Sequence, residues 1–217
     1  MSDQRDLYTA APIRFLAWRL NINIAVLASG SGTNLQAILD SQESGVEPSL
    51  VVSDRPGAKA LDRARSVGIP TAVVDWALFE DRDAFCADLA AVLSSVPIDG
   101  LVLAGFMRIL NADFVGRYPN RILNVHPSLL PAFPGAHAVE QALQHGVRVT
   151  GVTVHFVDER VDHGPIIAQR AVPVLDDDDV ETLHDRIRIE EHDLYPKVVG
   201  AFARGEIEVQ GRRVIWQ

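Results

Sequence analysis

The chain has 217 residues, 47% of them apolar, and a net charge of −9 at pH 7. That is enough apolar sequence for one good-sized core, and no run approaches the 18 or so apolar residues a membrane span needs. The acidic balance argues against nonspecific nucleic-acid binding, where phosphate contacts dominate affinity, but leaves room for a small anion in a local positive pocket. One cysteine, Cys86, rules out an intrachain disulfide and reads as a buried structural thiol in a helical pattern.

Residues 1–21 read as an N-terminal extension with no clean cleavage site, and 22–217 as a single domain. The absence of an export signal points to the cytoplasm. Residues 23–29, NIAVLAS, read as a buried strand and TNLQAILDS as a short helix. SLVVSD (49–54) is a second strand. AKALDRARSVG is helical and stops at Gly68. TAVVD is a third strand, DRDAFCADLAAVLSS a longer helix, GLVLAGF (100–106) a fourth strand and RILNVH (121–126) a fifth. Continuous apolar strands separated by helices predict a parallel sheet covered on both faces. After residue 146, VRVTGVTVHFV and IIAQRAVPV read as antiparallel neighbours. A long helix starts near Val180, and EIEVQGRRVIW reads as a hairpin around a Gln-Gly turn. The expectation is therefore an α/β, Rossmann-like open sheet. Its N-terminal part is parallel with helices on both faces, and its C-terminal strands are antiparallel.

Four stretches carry chemistry. SGSGTN, at a strand-to-helix turn, exposes backbone N–H groups at the positive end of a helix dipole, which suits a phosphate. It lacks the G-K-[S/T] of a P-loop, and Leu35 stands where the dinucleotide fingerprint needs a third glycine. A side chain at Gly32 is expected to crowd the anion. In ILNVHPSLLPAFPG, three prolines forbid a continuing helix or central strand. Asn124 and His126 therefore lie on one face at the carboxyl end of a strand, where they could polarise a carbonyl and stabilise an oxyanion. VDERVDHGPIIAQ crowds Asp158, Glu159, Asp162 and His163 into one loop. His155 lies close by, but no H-E-x-x-H or Cys pair supports a metal. In the long helix the apolar stripe Val180, Leu183, Ile187, Leu194, Val198 is broken at 190–191 by two glutamates. A carboxylate there is exposed or reaches into a site. The preceding DDDD (176–179) offsets the helix dipole.

With these stretches in order, the chain resembles the phosphoribosylglycinamide formyltransferases (glycinamide ribonucleotide transformylases), a folate-dependent formyltransferase family. The resemblance runs from about residue 22 to about 204. It rests on SGSGTNLQAI, LAGFMRIL, ILNVHPSLLP, VTVHFVDERVDHGPII and EEHDLYP. It implies formyl transfer from 10-formyltetrahydrofolate to 5-phosphoribosylglycinamide in purine synthesis, without a metal. By the same resemblance, Gly32, Thr33, Asn34 and Glu191 would hold phosphoribosylglycinamide, and Arg188 could add charge there. Arg82, Met107, Arg108, Ile109, Leu110 and Asn124 would bind the folate, with the loop Glu159–Gly164 lining its pocket. Asn124, His126 and Asp162 would form the catalytic set, Asp162 keeping His126 protonated. Small molecules, rather than nucleic acid or membrane, would be the partners, with a homodimer left open. A hydrolase or an aminoacyl-tRNA enzyme of the same group would need an additional domain. A noncatalytic nucleotide-binding module would not need Asn124, His126 and Asp162 together.

Overall fold

The first strand, β1 (Ile24–Leu27), is four apolar residues with no solvent exposure. Such a strand needs a neighbour on each edge and a layer on each face. The computed structural model describes residues 22–41 and 46–217, so the N-terminal extension lies outside the described residues. After β1 come α1 (Thr33–Asp40), β2 (Leu50–Ser53), α2 (Lys59–Ser66), β3 (Thr71–Val73), α3 (Arg82–Leu93), β4 (Gly100–Leu103) and α4 (Ala112–Val115). Then follow β5 (Ile122–His126), α5 (Ala138–Gln144), β6 (Val149–Phe156), β7 (Ile166–Pro173), α6 (Val180–Ala203) and a hairpin of β8 (Ile207–Gln210) and β9 (Arg213–Trp216).

Strands β1 to β7 form one sheet in the order β3-β2-β1-β4-β5-β6-β7. Pairings among β1 to β5 are parallel, and β5–β6 and β6–β7 are antiparallel. The expected mixed, Rossmann-like sheet is what the chain forms. Alternation along β1 divides the core. Ile24 and Val26 join Leu35, Leu61, Leu183, Ile187 and Tyr195 on the face covered by α1, α2 and α6. Ala25 and Leu27 join Phe85, Leu89, Leu93 and Phe114 on the face of α3 and α4.

The chain runs outward from β1 to β2 and β3, then returns to place β4 on the other side of β1. That reversal opens a crevice beyond the carboxyl ends of β1 and β4. Helix α6 lies over the sheet, and its fully buried Tyr195 hydroxyl faces the carbonyls of Leu103 (3.0 Å) and Leu123 (3.2 Å). Its buried stripe starts at Leu183, because Val180, the first helical residue, is exposed. The aspartates ahead of it do more than offset a dipole. Asp179 accepts a hydrogen bond from the Thr182 N–H in a capping box, and Asp178 takes both Nη atoms of Arg186.

Candidate active site

The turn between β1 and α1 is tied to its neighbours by main-chain bonds, Ala28 N–H to the Val52 carbonyl and Ser29 N–H to the Gly105 carbonyl. Gly32 precedes α1 in the left-handed region, at φ 69°. A Cβ on it would lie 2.7 Å from the Cα of Ala60 in α2. Helix packing and backbone conformation therefore demand this glycine, and a side chain there would strike α2 before any anion. No side chain caps α1, so its first amide groups remain available as donors. They border a cavity of about 240 Å³ lined by Ser29 to Asn34, Arg55, Ala104, Gly105 and Met107.

Glu191 explains the broken stripe. It is 6% exposed, and it accepts a hydrogen bond from Asn34 Nδ2 at 3.2 Å. Burial pushes its carboxyl up, against the Asn34 bond and the charge of Arg188. The amide oxygen of Asn34 is buried with no hydrogen-bond partner among the described residues, an acceptor left for a donor from outside. Arg188 pairs with Asp185 at 2.9 Å on the helix surface. Glu190, the other glutamate of the break, pairs with Arg170 instead.

The second constellation gathers at the end of β5. Asp162 sits at its centre in a left-handed backbone conformation, φ 50°, uncommon for a residue with a side chain. Its Oδ2 accepts from the Gly135 N–H (2.7 Å) and lies 3.3 Å from His126 Nδ1. Its Oδ1 lies 3.4 Å from Asn124 Nδ2 and 3.5 Å from His155 Nε2. The carbonyls of Phe133 and Phe156 fix both imidazoles. His126 donates from Nε2 to Phe133 O (2.8 Å), and His155 donates from Nδ1 to Phe156 O (2.8 Å). His155 Nε2 lies 3.1 Å from the Asn124 amide nitrogen.

Two influences oppose at His126. Asp162 and the Phe133 bond favour the imidazolium, but burial dominates and the pKa falls below the ordinary histidine value. This corrects the expectation that Asp162 keeps the ring protonated, because burial outweighs the carboxylate. Burial also pushes the Asp162 carboxyl up, but the His155 and His126 contacts and the Gly135 N–H outweigh it, leaving its pKa below the usual carboxylate range.

The segment 107–110 forms the third side. Met107 and Ile109 are exposed, whereas Leu110 turns into the core. Arg108 Nε donates to Asp54 Oδ2 at 2.6 Å, and its guanidinium lies 4.8 Å above the Trp76 ring. Arg82, exposed, starts α3. That helix start is joined to the residue after Leu110 by Asn111 Nδ2 to Asp83 Oδ1 (2.7 Å).

Residues 22–199 match the family described as Formyl transferase. The chain belongs to that family. It is 41% identical to the Escherichia coli protein named phosphoribosylglycinamide formyltransferase, over 87% of this chain and 90% of that one. The Mycobacterium tuberculosis protein of the same name is 46% identical, over 87% and 88%. The human trifunctional purine biosynthetic protein adenosine-3 is 44% identical over 89% of this chain, which spans only 20% of that protein's length. Among solved structures, glycinamide ribonucleotide transformylase 1 from Symbiobacterium toebii superposes with a TM-score of 0.87 at 51% identity, covering 91% of this chain and 95% of that one.

The fold thus groups Asn124, His126 and Asp162 in one cluster and Thr33, Asn34 and Glu191 around one turn. Three participants escaped the sequence reading. His155 orients Asn124 and Asp162. Its signal was a histidine near the end of β6, a strand buried from Thr150 onward. Arg55 brings a cation to the cavity, and Asp54 holds Arg108. Neither has a spacing signature, because the sheet alone brings them to the crevice.

Proposed function

We propose that this chain transfers the formyl group of 10-formyltetrahydrofolate to the amine of 5-phosphoribosylglycinamide in purine biosynthesis. The carrying observation is the placing of two unlike sites at one crevice. A donor-rich turn backed by a buried carboxylate suits a phosphorylated sugar. A carboxylate–imidazole–amide cluster suits acyl transfer. The names of the bacterial relatives that match along most of their length support the same reading.

The free α1 amides take the phosphate, with Arg55 adding charge, and Glu191 accepts from the substrate's hydroxyl or amide donors. The apolar faces of Met107 and Ile109 and the main chain to Leu110 take the flat folate, with Arg82 toward its carboxylate end. The attacking amine forms the new C–N bond, and the old bond from the formyl carbon to N10 breaks. One proton must leave the amine and one must reach N10. His126 Nδ1 is the unprotonated ring nitrogen, and the Asp162 carboxylate 3.3 Å away holds the cation once a proton arrives. The Asn124 N–H directed at Asp162 makes the longer of its two bonds, 3.4 Å against 3.1 Å. It is the one that turns most cheaply to a developing oxyanion.

Residues 22–217 act as a single domain and, among the described residues, no helix is long and apolar enough to cross a membrane. We place the enzyme in the cytoplasm, acting on small molecules without a metal. Formyl transfer between the two proposed substrates, followed with the purified protein and repeated after exhaustive chelation, tests this. Transfer that survives chelation is expected. No transfer at saturating substrates would overturn the assignment, and transfer restored only by a divalent ion would overturn the metal-free chemistry.

A further inference from the structure

The β8–β9 hairpin follows the last residue matched by the family, yet its turn reaches the loop that carries Asp162. That loop, residues 157–165, is closed tightly at its base. Phe156 N–H donates to the Pro165 carbonyl at 2.9 Å. Gly164 lies so near the returning strand that a Cβ on it would meet the Phe156 carbonyl oxygen. At the tip the Asp162 side chain reaches Asn124 and His155 on the sheet, but its main chain needs a further hold.

Arg212, in the two-residue turn after β8, supplies it. Its Nη2 donates to the carbonyl of His163 at 2.8 Å. Its Nη1 lies 3.4 and 3.5 Å from the two ring nitrogens of the same residue, so the guanidinium spreads across the imidazole. The ring is held from its other side by Asp158, with Nδ1 2.8 Å from Oδ2. The hairpin is itself anchored, through Trp216 Nε1–H to the Ile167 carbonyl at 3.3 Å. The carbonyl that Arg212 grips belongs to the residue directly after Asp162, whose left-handed backbone must be stabilised by its surroundings. Lysine could reach the carbonyl but could not lie flat on the ring.

We propose that Arg212 is a positioning residue for catalysis: by clasping His163 it fixes the backbone that aims the Asp162 carboxylate at His126 and Asn124. This rests on the formyl-transfer reading for its kinetic consequence, but the clasp is measurable without it.

The test compares the full-length protein with Arg212→Ala, Arg212→Lys and Arg213→Ala, the last an exposed neighbour on the same hairpin. Arg212→Ala should slow single-turnover formyl transfer by roughly tenfold to a hundredfold, the scale expected when a reacting group is misplaced by about an ångström. Phosphoribosylglycinamide affinity should be unchanged, and amide hydrogen exchange of 158–164 should accelerate. Arg212→Lys should recover part of both losses, and Arg213→Ala should match the parent. A parental rate with parental exchange in Arg212→Ala would overturn the proposal. So would a slow rate with unchanged loop exchange. If Arg212→Ala does not fold, the Arg212→Lys pair of readouts decides by the same criteria. If the parent shows no formyl transfer, the functional reading fails, while the exchange comparison still decides whether the clasp orders the loop.

Discussion

Replacing Asp162 by Asn changes charge with almost no change of shape. The main-chain donor at Gly135 fixes which way the new amide points: its oxygen must stay on the N–H 2.7 Å away, on the side that also faces His126. Its NH₂ then falls where Oδ1 was, 3.5 Å from His155 Nε2 and 3.4 Å from Asn124 Nδ2. The Gly135 bond therefore survives, while the Asn124 Nδ2 bond to Oδ1 is lost together with the negative charge 3.3 Å from His126 Nδ1. At that separation the attraction for an imidazolium is about 1 kcal/mol in a water-like medium and about 5 kcal/mol at an effective dielectric near 20. Both groups are 10% exposed or less, so the weaker limit is a floor. The chemical step should slow by roughly tenfold to several thousandfold. Single-turnover formyl transfer measures it, with NMR titration of the His126 ring alongside. Since Asp162 raises that histidine's pKa, its removal should move the titration further down. His126→Ala should be similarly damaging, and the double variant far less impaired than the product of the singles. A His126 titration unmoved by Asp162→Asn would refute the electrostatic role. Near-parental turnover in His126→Ala would remove the cluster from catalysis.

Glu191→Gln keeps the Asn34 hydrogen bond while removing a carboxyl whose pKa is raised by burial. The wild-type group favours folding below its unfolded pKa and loses that contribution as pH rises through its higher folded value. The variant should therefore unfold at higher urea than the parent at neutral pH, yet bind phosphoribosylglycinamide more weakly by calorimetry. A variant that binds normally removes Glu191 from the site. Gly30→Ala meets nothing within 4 Å but intrudes on the cavity, so its urea midpoint should stay put while phosphoribosylglycinamide binding weakens. Equal affinities would dismiss the cavity as the phosphate site. His126, His184 and His192 all have pKa values lowered first by burial. The unfolded chain therefore binds protons more readily, so stability should drop as pH falls from about 7.5 to about 5.5, through the unfolded histidine value near 6.5. Urea midpoints that rise over that interval would contradict the sign.

The parts visible in the sequence were those that repeat a local rule. Strands β1, β2 and β4 are near-continuous apolar runs because both faces are covered, and α6 announced itself by its stripe and acidic start. Helix α4, of four residues, is too short to show a period. Helix α5 begins at His137 in a left-handed conformation, with no side-chain cap on its first turn. The Asn-x-His spacing was legible because strand alternation is strict. The protonation of His126 was not, because it is set by burial from elements distant in sequence, and burial outweighs the one charge the sequence suggested. Arg212 was legible only as part of a turn.

The strand reversal that opens the crevice also fixes when the crevice can exist. The glycine turn after β1 is held by Ser29 N–H on the Gly105 carbonyl and by Met107 N–H on Ser29 Oγ. Its acidic backing, Glu191 of α6, lies 157 residues further along the chain than Asn34. Contact order is thus concentrated at the catalytic edge, where long loops must close before any contact rewards them. A chain emerging from the ribosome can pair β1 with β2 early, but the edge of β1 that awaits β4 stays open until the following half arrives. Shortened chains should therefore bind neither substrate. Activity should appear in one step, with global folding, and not be assembled piece by piece.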